Sequence, residues 1–155
     1  MKEELQLVIF KIGNEEFGVP INQVREIVRL IQITPVPRAP SFIEGVVNLR
    51  GQVLAVIDLA KKLNLKSNPR SEKTRIIVVE VDNNTVGMIV DEVTEVLKLP
   101  SENVKETPEV IATQIKQEYL KGIGKLDDRL LILIDLAKVL SPEEVEEVKK
   151  TNLSQ

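Results

Sequence analysis

Residues 8–27 read VIFKIGNEEFGVPINQVREI, and residues 77–96 read IVVEVDNNTVGMIVDEVTEV. The two stretches align without a gap at an offset of 69, and that alignment decides how the chain is organised. In both, an apolar run stops at a polar turn, a shorter run carries a glycine, and a third run follows a second break. Farther along, GVVNLRGQVLAVIDLAKKL at 45–63 aligns on GIGKLDDRLLILIDLAKVL at 122–140, now at an offset of 77. The later half therefore carries eight more residues between its matched blocks, within Leu99 to Leu120. Two ordered blocks of this kind mark an internal duplication, one supersecondary pattern used twice.

Each copy predicts five strands. In the first, Leu5 to Ile12 and Glu16 to Pro20 flank the turn Gly13-Asn14, Val24 to Ile33 follows a turn at Ile21 to Gln23, and Gly45 to Leu49 and Val53 to Ile57 flank Arg50-Gly51-Gln52. In the second, the strands are Thr74 to Val81, Val86 to Val90, Val93 to Leu99, Gly122 to Leu126 and Leu130 to Ile134. Apolar residues make up 43% of the chain and aromatics only 3%, so the core is built mainly of Val, Ile and Leu, which pack well on pleated surfaces. Short strands with tight turns fit small barrels, because closure removes exposed edges. The expected fold is mainly β, with two five-stranded barrels side by side and few helices. A single domain over 5–150 divides into a first subdomain at about 5–63, a link at about 64–73, a second subdomain at about 74–140 and a C-terminal helix at 141–150. Asp58 and Asp135 each stand before Leu-Ala-Lys as N-caps. Ser141-Pro142-Glu143-Glu144 is a capping box with proline at the first helical position. Thr113 to Tyr119 predicts a further short helix, and Thr151 to Gln155 is expected to fray.

Several function classes lose their chemistry. The 155 residues include no Cys and no His, which removes thiolate nucleophiles, disulfides, the commonest transition-metal ligand and the usual proton-transfer group. A net charge of -3 gives no global attraction for nucleic acid. The polar start Met1 to Glu4 has no apolar stretch of a signal peptide, and the longest apolar run, Leu130 to Ile134, is too short to span a bilayer. A cytoplasmic location is expected, without membrane insertion. Gly122-Ile123-Gly124 lacks the third glycine of a phosphate loop and falls within a strand. The acidic pairs Glu15-Glu16, Asp91-Glu92 and Asp127-Asp128 fall at turns or strand ends, where solvation accounts for them.

Three features point to binding. Ile21, Val24 and Ile27 recur at a spacing of three, with Val90, Val93 and Val96 as their repeat partners. All six suit a core, yet a turn followed by a strand cannot hold them on one face. Some must be exposed or lie between barrels, where the middle members would line a groove. Arg50 stands at a hairpin turn whose counterpart holds Asp127, and it is either a solvated turn arginine or a charge that braces the groove or pairs with a partner. Thr34 to Phe42, with prolines at 35, 37 and 40, is either a plain crossover or a rigid docking surface with Ile33, Phe42 and Ile43 as apolar anchors.

The ordered set Glu16 to Ile21, Val24 to Ile27, Pro35 to Pro37, Pro40 to Gly45, Asn48 to Gly51, Val56 to Leu59, Val86 to Asp91 and Tyr119 to Gly124 resembles the CheW-like family of chemotaxis coupling proteins, over about Leu5 to Val148. The resemblance implies SH3-like barrels, no enzymatic activity, no cofactor or metal, and an adaptor in bacterial chemotaxis that joins cytoplasmic chemoreceptor tips to the regulatory domain of the histidine kinase CheA. That regulatory domain and the coupling protein CheV share the module, but this chain has no room for a kinase core or a receiver domain. The adaptor would be a monomer alone and part of receptor–kinase arrays in the cell. Val24, Glu26, Arg50, Val93 and Val96 are then the expected receptor-binding residues. Ile33, Pro37, Phe42 and Ile43 are the expected kinase-binding residues, with Pro108, Glu109 and Val110 as a second, weaker face. Val110 departs from the family pattern, in which an aromatic often stands there. The alternatives are the same scaffold in a surface-motility pathway and a carboxylate- or Ser-dependent hydrolase, which the missing His disfavours.

Overall fold

In a computed structural model, residues 3–106, 115 and 117–153 are described. Five strands form first: β1 (Glu4–Ile12), β2 (Glu15–Pro20), β3 (Val24–Arg29), β4 (Ile43–Leu49) and β5 (Gln52–Asp58). A short helix, α1 (Leu59–Leu63), closes this half. The second half gives β6 (Arg75–Val81), β7 (Asn84–Val90), β8 (Glu92–Pro100), β9 (Val104–Lys105), β10 (Leu120–Leu126) and β11 (Arg129–Ile134), then α2 (Pro142–Leu153). All ten expected strands form, and the two-residue β9 is additional. Of the helix expected over Thr113 to Tyr119, Gln117–Tyr119 is a 3-10 turn, and 113, 114 and 116 lie outside the described residues.

The strands make two sheets, six-stranded β8-β1-β2-β11-β10-β9 and five-stranded β3-β6-β7-β5-β4. These sheets do not follow the halves of the sequence. Hairpin β1–β2 joins the later strands, and hairpin β6–β7 joins the earlier ones. The boundaries expected at 5–63 and 74–140 therefore divide the repeats and not the folded units. The reason lies in the connections: the 3-10 turn Ile21–Gln23 carries the chain away from β2, and β3 pairs with β6 instead of returning to β1.

The duplication is visible in the ladders. Shifting by 69 turns the pair Val8↔Val96 into Ile77↔Ile27. The parallel pair Phe17↔Ile132 becomes Val86↔Ala55 when the two offsets are applied. Even the irregularities correspond, since the ladders skip Arg25 in β3 and its counterpart Thr94 in β8. Both barrels close in the same way. Thr34 bridges Val46 through bonds of 2.8 and 2.9 Å, and β9 pairs with β10. At each closure a glycine admits the approaching backbone: a Cβ on Gly45 would lie 2.4 Å from the Thr34 carbonyl oxygen, and one on Gly122 would lie 2.6 Å from that of Lys105.

Alternation along the central strands fills three cores. Leu7 and Ile9 point into the six-stranded barrel with Leu99, Leu131 and Leu133. Ile76 and Val78 point into the five-stranded barrel with Val47, Leu54, Val56 and Ile89. The alternate residues Val8, Phe10, Ile12, Ile77, Val79 and Val81 belong to one large core shared between the barrels, where Phe10 stacks on Phe17 at 5.3 Å. A strand buried on both faces reads as a continuous apolar run, as Leu7 to Phe10 and Ile76 to Val79 do.

The helix starts follow their sequence signals. The Asp58 carboxylate accepts from the Lys61 N–H and that of Asp135 from the Ala137 N–H. Ser141 and Glu144 cap each other reciprocally. The end of α2 corrects the expectation of fraying. The helix continues through Leu153, Thr151 is buried, and the Asn152 carboxamide bridges the Ala55 N–H at 2.7 Å and the Thr85 carbonyl at 2.9 Å.

Candidate protein-binding site

β3 and β8 are equivalent strands on two barrels, and each borders the shared core. Val24 and Ile27 stand opposite Val79 and Ile77, while Val93 and Val96 stand opposite Phe10 and Val8. Val24, Ile27 and Val93 are half-buried against that core, whereas Val96 is 54% exposed and Ile21 39%. Val90, their relative by spacing, is wholly core. The spacing of three thus sorts into one buried member, three marginal ones and two open ones.

Charge flanks these valines. Arg50 has a positive φ of 53° at its turn, and Asn48 accepts the Gly51 N–H at 2.8 Å. Its guanidinium reaches the Glu26 carboxylate on β3 at 2.6 Å, and that carboxylate holds the Arg50 pKa above its ordinary value. On β8, Glu95 occupies the position of Glu26 under the offset of 69. Arg129 donates to it at 3.0 Å and to Glu16 on β2 at 3.0 and 3.3 Å. The hydrogen bonds that Arg129 donates to Glu16 and Glu95 hold its pKa above the ordinary value. Arg25 pairs with Glu80 at 2.6 Å. Of these ion-paired residues, the sequence alone singles out Arg50 and Glu26, whereas Glu16, read there as a solvated turn residue, is ion-paired with Arg129. The available signal was the alignment of Glu95 on Glu26.

The expected kinase-binding residues do not form one patch. Ile33 packs against the interior of the five-stranded barrel, while Phe42 and Ile43 pack on the shared core. Ile43 is only 7% exposed and is a core residue, a correction to its expected role as an anchor. The cause is a bulge: the β4–β5 register slips between Ile43 and Gly45, which turns Ile43 away from the face of Val47. Pro37 is exposed. Phe42 is half-buried beneath Lys62, whose ammonium lies 5.7 Å from the ring centre. It lines an open cleft of about 540 Å³ with Ser41, Lys61, Leu63, Asn64 and Tyr119. Burial would raise the Glu144 carboxyl, but its bonds to Lys62 and Ser141 outweigh that and hold it below its ordinary pKa. Pro108, Glu109 and Val110 lie outside the described residues.

The other motifs are accounted for by structure. Gly122 serves the barrel closure, and a Cβ on Gly124 would meet the Leu99 side chain at 2.7 Å. Asp91 accepts from the Gly13 and Asn68 N–H groups and so ties a hairpin turn to the link. Among the described residues, no group of three or more Asp or Glu is arranged to hold a metal ion, and no helix is long and apolar enough to cross a membrane.

The arrangement offers apolar strips and braced charges, which suits recognition of other proteins. Known proteins resemble the chain over most of its length. The family model for the CheW-like domain matches residues 6–144. The chain is 41% identical over 140 residues to chemotaxis protein CheW of Klebsiella aerogenes, covering 90% of this chain and 84% of that one. It is 29% identical over 141 residues to protein FrzA of Myxococcus xanthus, covering 90% and 87%. Among solved structures, the scaffolding protein TtCheW from Thermoanaerobacter tengcongensis superposes with a TM-score of 0.80 at 36% identity, covering 90% of this chain and 89% of that one.

Proposed function

The chain belongs to the CheW-like domain family of chemotaxis scaffolds, and from that premise we propose that it couples the cytoplasmic tips of chemoreceptors to the histidine kinase CheA and catalyses no reaction itself. The observation that carries this reading is the pair of equivalent strands, β3 and β8, which bring Val24 and Val93 to the margin of one shared core and leave Val96 exposed, with the Glu26–Arg50 pair on the β3 side. We take these two strips as the walls of a groove between barrels, the kind of surface into which an amphipathic helical hairpin lays its apolar face. The valines are small, so the contact is modest and spread over several residues.

The kinase is met elsewhere. Phe42, in the cleft at Lys62, and the exposed Pro37, which lines a different surface beside Lys150, are contacts for its regulatory domain, and Pro108 to Val110 supply a further one. Holding both partners at once raises their effective concentration for each other, which is work a scaffold can do without an active site. The protein acts in the cytoplasm, as a monomer alone and within arrays when its partners are present.

The test is kinase autophosphorylation with receptor-bearing membranes. Activity should rise only when receptor, kinase and this protein are combined. Equal activity without this protein would reject the coupling role.

A further inference from the structure

Glu26 and Glu95 occupy equivalent positions in the duplication, and an arginine grips each of them. The arginines are not equivalent. Arg50 aligns on Asp127, and Arg129 aligns on Gln52. The duplication therefore handed down the glutamate but not its partner, and the two barrels supply that partner from different places in the corresponding hairpin. A lone exposed ion pair adds little stability, so stability alone is a weak reason for both barrels to have one here.

The surroundings of Glu95 show what the grip does. It stands between Thr94, the residue skipped by the β1–β8 ladder, and Val96, the most exposed valine of the site. A bulge leaves its residue without a ladder partner and bends the strand, so local shape there depends on side-chain contacts. Thr94 makes one such contact, a long one of 3.4 Å from its hydroxyl to the Ile9 carbonyl. Arg129 makes the other. Its guanidinium is fixed on β2 by two bonds from Nε and Nη2 to Glu16, a forked geometry that sets its direction, and Nη2 also donates to Glu95 at 3.0 Å.

We propose that Arg129 is a positioning residue for receptor binding, which holds Glu95 and through it sets how the bulged stretch Val93 to Val96 presents Val96. This rests on the reading of β3 and β8 as the receptor site. It adds a residue on β11 that need not touch the receptor and assigns Glu16 the task of aiming it.

The experiment is calorimetry of the full chain with a soluble receptor-tip hairpin fragment and, separately, with the kinase regulatory domain. The variants are Arg129→Gln, Glu95→Gln, the two combined, and Val96→Glu. Arg129→Gln and Glu95→Gln should each weaken receptor-fragment binding by about fivefold, the upper range for one exposed pair. The double variant should be no weaker than either single one, because both remove one contact. Kinase-domain binding should stay at the wild-type level in all three. Losses that add in the double variant, equal losses for both partners, or wild-type receptor binding in the single variants would overturn the proposal. Should Arg129→Gln fail to fold, Glu95→Gln removes the same contact from its exposed end. Val96→Glu separates the two readings. If it abolishes receptor binding while the single charge variants bind normally, only the positioning role falls. If it binds normally, the groove itself is wrong and the positioning role falls with it.

Discussion

The two barrels share a backbone plan and differ in what covers them. The ladders, the skipped residues and the closing glycines correspond one to one between the five-stranded and the six-stranded sheet. The outer layer does not correspond. The five-stranded barrel receives α2, with Asn152 set between β5 and β7, and is tied to the link by Arg70, which reaches Glu44 at 3.1 Å and Asp58 at 3.5 Å. The six-stranded barrel instead carries the Arg129 cluster. Backbone pairing and core volume tolerate little change after duplication, whereas surface charges and appended helices are free to diverge. Symmetry in the ladders thus marks what holds the fold, and asymmetry outside them marks where two surfaces were given different work.

The strongest way to break this picture is to cut the chain between Asn68 and Pro69, within the link. If hairpins are exchanged as the sheets show, neither fragment contains a complete barrel. Each alone should lack native circular dichroism, and an equimolar mixture should recover it. A fragment that folds by itself into a stable barrel would refute the exchange. In the intact chain, Phe10→Ala should cost about 3–5 kcal/mol, because it empties the core shared by both barrels. Urea unfolding should remain one transition, since neither barrel retains its packing without that core.

The closing glycines sharpen the comparison at single-residue scale. Gly45→Ala and Gly122→Ala each push a methyl into a carbonyl oxygen that belongs to a paired backbone. Each should cost about 1–3 kcal/mol by urea denaturation. Gly51→Ala meets nothing within 4 Å and bears only the strain of its φ of 88°, so a loss of about 1 kcal/mol is expected. Similar losses at 45 and 122 would support equivalent closures. Tolerance at one alone would show that its barrel closes by another route.

Strand positions were legible because period-two burial and polar turns are local signals. The pairing of hairpins was not, because after duplication a strand such as β8 meets near-identical partners in β1 and β6. Nothing local chooses between them, and only the short Ile21 to Gln23 connection decides. Spacing alone leaves Ile43 as a surface anchor, whereas the ladder skips Glu44 and this one-residue bulge reverses the face of what precedes it. On β3 and β8 the marginal valines could be named from spacing, but the exposure of Val96 relative to Val93 needed the third dimension. Arg129 was missed because its two partners lie 34 and 113 positions away.

The smallest expected effect concerns acid. Glu44 on β4 and Glu144 at the start of α2 both hold protons less readily than an ordinary carboxyl of pKa 4.5. For Glu44, burial acts upward, but hydrogen bonds and charge from Lys61 and Arg70 outweigh it; for Glu144, Lys62 and Ser141 do the same. A carboxyl whose pKa is lower in the folded chain binds fewer protons folded than unfolded, so stability rises with pH across that interval. The contribution is complete above the unfolded value near 4.5 and is lost as pH falls through the folded one. Both pairs fasten parts that only the five-stranded side possesses: Glu44 holds the link through Arg70, and Glu144 ties α2 to α1 through Lys62. Melting temperatures should therefore fall as pH drops below about 4.5, the region in which a carboxylate begins to protonate. Glu44→Gln and Glu144→Gln should each be slightly less stable than wild type at neutral pH and should each flatten the acid slope. Amide exchange at mildly acidic pH should rise first in α1 and α2, and only later in β10 and β11. A wild-type slope in both glutamine variants would assign the acid sensitivity to other carboxylates, and earlier exchange in β10 and β11 would reverse which barrel is the more strongly fastened.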